Sequence, residues 1–359
     1  MRAPSLLLVT CLFVGSCGSP DPEPVPASER RSWVGAIDAR RVPEDLRDLS
    51  HPDGAVRARA LRFLGQLRSE GQVESFQRGL ADPDPQVRRE ASRALGALSG
   101  DAAWRSLLGR LAQEGQPDVR ARLLHDLGRT GGKGIGALLL GSLEKGSSQE
   151  RAGACRGLAA RFGKGDTIPG AQLRMAERLR DPVSRRACAF ALSRMPAPAD
   201  AEESRRVGEA LRRHLGTEDA DVRRFLVKAL GHHKDPLALE ALAGRTSDPD
   251  WRVAVQAFRS LGGSDAETLA PVVRRRLERA LAPDVSLPGP ESHGVLAAVH
   301  AARVSRATGV LAAAKEARTA LQRRKATRDL ALLDCHLAQL VAVLDAPSLE
   351  GVLSCGLGL

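Results

Sequence analysis

The chain has 359 residues, 43% of them hydrophobic and only 3% aromatic, with no tyrosine at all. This is enough apolar material for a sizeable core, but it argues against most β-rich folds, because strands favour aromatic and β-branched side chains while this sequence is rich in Ala, Leu, Arg and Glu. The formal net charge of +11 would suit a nucleic-acid partner in a cytosolic protein, and the first residues argue against that compartment.

Arg2 gives a short positive start, and Leu6 to Val14 form an apolar stretch too short to span a bilayer as a stable helix. That is the pattern of an export signal. It ends in Val14-Gly15-Ser16-Cys17, which resembles the bacterial lipobox. The resemblance implies that Cys17 is acylated and becomes the mature N-terminus; an ordinary signal cleaved near Ser16 is the alternative. Residues 18–33 carry Pro20, Pro22, Pro24 and Pro26 and read as a semi-extended tether that lifts a folded body off a membrane. Gly18 and Ser19 do not resemble the aspartate signal of inner-membrane retention, so the expected place is the outer membrane, facing the periplasm or the surface.

From residue 34 to 264 one segment recurs. It runs Val56-Arg57 to Leu64-Gly65, Val87-Arg88 to Leu95-Gly96, Val119-Arg120 to Leu127-Gly128, Glu150-Arg151 to Leu158-Ala159, Ser184-Arg185 to Leu192-Ser193, Val222-Arg223 to Leu230-Gly231, and Val253 to Leu261-Gly262. The closing residues are spaced by 31, 32, 31, 34, 38 and 31 positions, the period of a two-helix repeat. Within each copy, counting its first residue as position 0, the apolar positions 0, 4, 7 and 8 share one helix face and do not alternate as a strand requires. Asp53, Asp84, Asp181, Asp219 and Asp250 precede the copies as N-caps, Pro85 and Pro182 open helices, and the closing glycines suit left-handed C-caps. Partner helices are expected at 71–81, 102–113, 134–145, 201–215 and 237–244.

Asp84-Pro85-Gln86-Val87-Arg88-x-x-Ala91-x-x-Ala94-Leu95-Gly96 and its fellows at 53–65 and 219–231 resemble the HEAT repeat, particularly the short bacterial form of phycobilisome-lyase-like proteins. The likeness covers roughly residues 42–263. It implies an all-α solenoid of about seven helix pairs and is nearly silent on function. With a lipobox, the layout also resembles the HEAT region of envelope lipoproteins that carry a cyclophilin-type peptidyl-prolyl isomerase domain. No residues of such a domain appear here, so no isomerase activity is carried over. Residues 265–359 lack the repeat signature. Helices are expected at 266–281, 294–305, 310–321 and 327–344, forming a cap over the last apolar face.

Motifs of chemistry are absent. Gly128-Arg129-Thr130-Gly131-Gly132-Lys133-Gly134 lacks the Ser/Thr after the Lys that a phosphate loop needs. Ser142-Leu143-Glu144-Lys145 has no accompanying Lys-Thr-Gly. His232-His233 has no carboxylate or Cys at ligand spacing. The expectation is therefore a binding protein rather than an enzyme, without cofactor or metal.

Two sets of residues remain as candidates for function. The Arg after each opening position (Arg57, Arg88, Arg120, Arg151, Arg185, Arg223) is expected to pair with turn aspartates of its own or the next repeat. Position 6 reads Arg62, Arg93, His125, Arg156, Phe190, Lys228 and Arg259, and position 2 adds Arg89, Arg186 and Arg224. HEAT solenoids line their concave surface with the second helix of each pair, so the resemblance implies that these residues form a basic groove. Such a groove suits an acidic protein segment or an anionic envelope glycan or lipid; a merely solvated Arg-rich face is the alternative. The wider alternative role is accessory to an enzyme, as companion of an isomerase or as a tetrapyrrole binder. Among the cysteines, Cys335 and Cys355 are the pair that can form a disulfide, while Cys155 and Cys188 fall at apolar helix positions and are expected to be buried as small hydrophobes.

Overall fold

The computed structural model describes residue 42 and residues 46–345, except 99, 234, 282–289 and 324–327. The chain divides into two compact units, Met1–Asp45 and Leu46–Leu359. The export signal, Cys17 and the Pro-rich tether lie outside the described residues, as does Cys355. Seventeen α-helices and four short 3-10 turns are described, and no strand is found among the described residues.

The helices alternate between two layers. The second helices of the repeats are α1 (Gly54–Gln66), α3 (Pro85–Leu95), α5 (Pro117–Arg129), α7 (Ser148–Phe162), α9 (Pro182–Leu192), α11 (Ala220–Leu230) and α13 (Trp251–Leu261). The first helices are α2 (Val73–Leu80), α4 (Asp101–Gln113), α6 (Ile135–Lys145), α8 (Ala171–Glu177), α10 (Ala201–Arg213) and α12 (Pro236–Arg245), with the 3-10 turn Arg47–Ser50 standing in for the first helix of the first pair. After residue 263 the same alternation continues through α14 (Ala266–Leu281), α15 (Pro290–Val304), α16 (Leu311–Gln322) and α17 (Arg328–Asp345). These helices have lost the repeat signature but pack as two further pairs in register with the stack.

Local chemistry explains where the second helices start. The carboxylates of Asp53, Asp84, Asp181, Asp219 and Asp250 each accept from a backbone N–H in the first turn, and Pro85 and Pro182 occupy the positions behind two of them. Helix α7 uses Ser147 and Glu150 as a reciprocal capping box. The apolar seam is drawn from the expected positions. Leu64, Leu95, Leu127, Leu158, Leu192, Leu230 and Leu261 are all buried between the layers, alongside Ala60, Ala91, Leu123, Ala154, Leu226 and Ala257. Each buried leucine stabilises the stack by roughly 2 kcal/mol relative to an exposed one.

Three expectations are corrected. The closing glycines Gly96, Gly231 and Gly262 have φ near −60°, not left-handed values. Most of them are needed for close approach instead. A Cβ on Gly96 would lie 2.6 Å from Asp126 Cβ of the next second helix, and one on Gly128 would lie 2.2 Å from Gly157 O. Cys155 and Cys188 are buried, but they are also bonded to each other, with Cα atoms 5.0 Å apart. Their separation of 33 residues is one repeat period, so lateral packing of α7 on α9 brings them together. Cys335 is also disulfide-bonded; its expected partner Cys355 is not described. Helix α8 has no counterpart among the expected helices. It is only seven residues long, follows the left-handed Gly165 and Gly170, and runs into the 3-10 turn Arg178–Arg180.

Candidate functional site: the charged face of the second helices

The second helices pack on one another more closely than the first helices do, so theirs is the inner side of any bend in the stack. Two sets of arginines leave this layer in different directions.

The arginines at position 1 form a ladder along the turns. Arg57 grips Asp82 with Nε and Nη2 at 2.7 and 2.8 Å and donates Nη1 to His51 O and Pro52 O. Arg88 does the same with Glu114 (2.8 and 3.0 Å) and with Asp82 O and Pro83 O. Arg223 repeats the arrangement on Asp248, Thr217 O and Glu218 O. Arg120 reaches Glu150 at 2.7 Å and Arg151 reaches Asp181 at 3.8 Å. At Arg185 the acid is replaced by Thr217 Oγ1 at 3.5 Å. Arg57, Arg88, Arg185 and Arg223 thus tie the turn before their own helix to the turn before the next second helix, while Arg120 reaches the first turn of the next helix itself. The planar fork of Arg suits this role and the point charge of Lys does not.

The residues of the expected groove divide. Arg89 pairs with Asp118, Arg186 with Asp219 and Asp221, and Arg224 with Asp221. Arg89 and Arg186 therefore bridge to acids at the start of the next second helix, while Arg224 pairs within its own. At position 6, Arg62 and Arg93 are half exposed and flank Glu90, with Arg62 Nη2 2.9 Å from Glu90 Oε1. Arg156, Lys228 and Arg259 are exposed and have no ion pair with a described residue. Burial first, and then the charges of Arg122, Arg129 and Arg156, outweigh Asp126 and press the His125 imidazole down to about 4, so it is neutral at pH 7. The row is interrupted at Phe190, whose ring meets Phe225 edge-on at 5.4 Å and lies beneath the Arg194 guanidinium.

Sequence reasoning missed part of this face. Arg122 and Arg129 clamp Asp126, which is fully buried and accepts from Arg122 Nε at 2.6 Å, Arg122 Nη2 at 2.8 Å, Arg129 Nη1 at 3.4 Å and Ser92 Oγ at 2.8 Å. With Arg62, Arg68, Arg93 and Glu90, both arginines line a cavity of about 430 Å³ across α1, α3 and α5. The signal was available. The spacing of Arg122, Asp126 and Arg129 places the three on one helix face, and Asp126 sits at position 7, which is apolar or small in most other copies.

Residues 43–131 and 208–286 match the family model for HEAT repeats. No curated protein matches the sequence. Among solved structures, the fold is similar to a chain of the complex in which Kap95p binding induces the switch loops of RanGDP to adopt the GTP-bound conformation. There the TM-score is 0.62 at 14% identity, over 90% of this chain and 48% of that one. The chain therefore spans about half the length of that structure. It is also similar to YibA of E. coli, with a TM-score of 0.50 at 13% identity, over 91% of this chain and 100% of that one. At these identities the likeness concerns the fold alone. The matched segments are HEAT repeats, and the chain folds as an all-α HEAT-type solenoid.

Proposed function

We propose that the protein is a lipid-anchored scaffold of the bacterial cell envelope that docks an acidic segment of a protein partner on the basic face of its second helices. The observation that carries the docking half is the set of cations left unneutralised at one repeat position: Arg156, Lys228 and Arg259 are exposed without an ion pair to a described residue, in register with Arg62 and Arg93. Exposed guanidinium and ammonium groups in a row raise the local concentration of anionic partners and speed their encounter. A solenoid of the same fold takes up a protein in the Kap95p–RanGDP complex, an analogy of fold only.

The anchoring half rests on the export signal and the lipobox at Cys17. The disulfide between Cys155 and Cys188 supports it, because a bond buried between repeats forms and persists in an oxidising compartment. Among the described residues no helix is long and apolar enough to cross a membrane, so attachment would fall to the acylated end. Two experiments test the reading. Replacing Arg62, Arg93, Lys228 and Arg259 together by Glu should remove the partners crosslinked in intact cells and identified by mass spectrometry; an unchanged partner set refutes the docking half. Cys17→Ser should move the protein from the membrane fraction to the soluble fraction, and membrane association that survives it refutes the anchor.

A further inference from the structure

The cavity across α1, α3 and α5 carries more than a share of a diffuse positive face. Five guanidinium groups, those of Arg62, Arg68, Arg93, Arg122 and Arg129, meet there over a small apolar floor of Leu61, Gly65 and Ala94. Only two carboxylates oppose them. Asp126 is fully buried, and its bonds to Arg122 and Arg129 fix those two side chains as a wall of the cavity. The wall is thus organised before any ligand arrives, which lowers the cost of binding.

Glu90 is the second carboxylate, and its two oxygens differ. Oε1 accepts from Arg62, whereas Oε2 is buried, accepts no hydrogen bond and lies 3.6 Å from Arg93 Nε. A buried carboxylate oxygen without a donor is an unmet demand. Arg68 makes the converse offer. It follows α1 with φ at 50°, in the left-handed region that a side chain with a Cβ rarely occupies, and its exposed guanidinium has no ion pair with a described residue. The cavity therefore presents the unpaired Arg68 beside the half-exposed Arg62 and Arg93, with the single buried carboxylate of Glu90 behind those two.

We infer that this cavity is a carboxylate-binding site for an acidic polypeptide segment, whose side-chain carboxylates sit on Arg62, Arg68 and Arg93. The inference rests on the reading of the second-helix face as a protein-docking surface, and it names the point at which the partner is held. Carboxylate forks match guanidinium forks. The negative charge of Glu90 behind the forks also disfavours the denser charge of a phosphate group, free or on a lipid, more than that of a single side-chain carboxylate. Its volume of about 430 Å³ suits one or two side chains with their backbone, in the range of small-ligand sites.

The test uses the full chain and a fluorescein-labelled decapeptide of alternating Glu and Gly, followed by fluorescence anisotropy. Arg62→Gln, Arg68→Gln and Arg93→Gln combined should weaken binding by at least about tenfold, while Lys228→Gln with Arg259→Gln should weaken it by less than about threefold. Arg62 and Arg93 are the cations beside the buried Glu90, so the triple variant should melt lower, and its binding is measured at a temperature where circular dichroism shows it folded; Arg68→Gln alone, which breaks no ion pair with a described residue, should leave the melt unchanged and still weaken the peptide. Glu90→Gln, which removes the negative charge behind the forks, should strengthen inorganic phosphate more than the peptide, and the reverse order would count against the carboxylate assignment. If only the distal pair of substitutions matters, the cavity assignment falls and the docking face stands. If neither set changes binding, or the peptide does not bind, both fall. Displacement of the peptide by millimolar phosphate, or cavity-dependent binding to vesicles of anionic phospholipid, would overturn the carboxylate assignment in favour of a phosphate group.

Discussion

Replacing Arg88 by methionine should uncouple the second and third repeats. The side chain is 8% exposed and its partner Glu114 1%. Methionine can fill the space of the aliphatic stem, but four hydrogen bonds disappear: two to Glu114 and one each to Asp82 O and Pro83 O. Removing one partner of a buried pair costs about 3–5 kcal/mol, because the other charge stays behind. Glu114 keeps its bonds from Arg110 and the Gln116 N–H, which places the expected loss near the lower end of that range. The titration of Glu114 gives a second route to the magnitude. Burial raises its pKa, but the bonds from Arg88, the Gln116 N–H and Arg110 prevail and bring it from 4.5 down to about 2. A carboxyl whose folded pKa is depressed stabilises the fold fully above its unfolded pKa, and this contribution is lost as pH falls from about 4.5 toward 2. The gap corresponds to about 3 kcal/mol shared among the three donors. Urea titrations followed by circular dichroism at 222 nm, repeated from pH 7 to pH 2, measure both effects. Arg88→Met should lower stability at pH 7 by about 3 kcal/mol and flatten the acid limb. A loss below about 0.5 kcal/mol with an unchanged acid limb would refute the reasoning, since surface pairs give values of that size.

Cys155→Ser with Cys188→Ser should cost about 3–4 kcal/mol by the loop-closure relation for a separation of 33 residues; peptide mapping of the unreduced protein should recover the two cysteines in one crosslinked species, and free thiols at both would contradict the pairing. Gly128→Ala should destabilise by about 2–3 kcal/mol because α5 and α7 must part, whereas Gly141→Ala, where a Cβ would meet nothing within 4 Å, should stabilise by about 0.5–1 kcal/mol. Thermal melts that rank these two the other way would overturn the close-approach argument. The His125 ring should titrate near pH 4 by NMR. Because the unfolded chain takes up that proton at higher pH than the folded one, this histidine's contribution to stability is lost as pH falls from 6.5 through 4; a midpoint at 6 or above refutes it.

The sequence made the repeat legible because its signals are local and periodic. An N-cap aspartate acts on an N–H two or three residues away, and the seam leucines return at fixed positions, so neither requires knowledge of the neighbouring repeat. What stayed hidden depends on how one repeat meets the next. The closing glycines looked like C-caps until the next second helix was seen to lie against them. Cys155 and Cys188 looked like separate small hydrophobes because they sit at positions 5 and 4 of their copies, and only lateral packing aligns them. The site shows the same division. Arg62 and Arg93 stand out in the sequence because position 6 recurs, and the structure places both at one cavity. Arg89, Arg186 and Arg224 recur as well, but acids in first turns of second helices take them up. Asp126 broke the apolar pattern, and its partner Ser92 lies 34 residues away, beyond any helical spacing.

The arginine ladder bears on how such a chain can change its length. Every rung except Arg185, which meets the Thr217 hydroxyl, draws its cation from one unit and its anion from the following one, so excising or duplicating one whole period away from that rung sets a guanidinium opposite a carboxylate. A copy could be lost or gained by recombination without a compensating substitution at the new junction. The series closes where Ala254 stands in place of arginine. Growth by whole units is therefore expected on the N-terminal side of that point, and least at the Arg185 junction, where a neutral hydroxyl stands in for the charge.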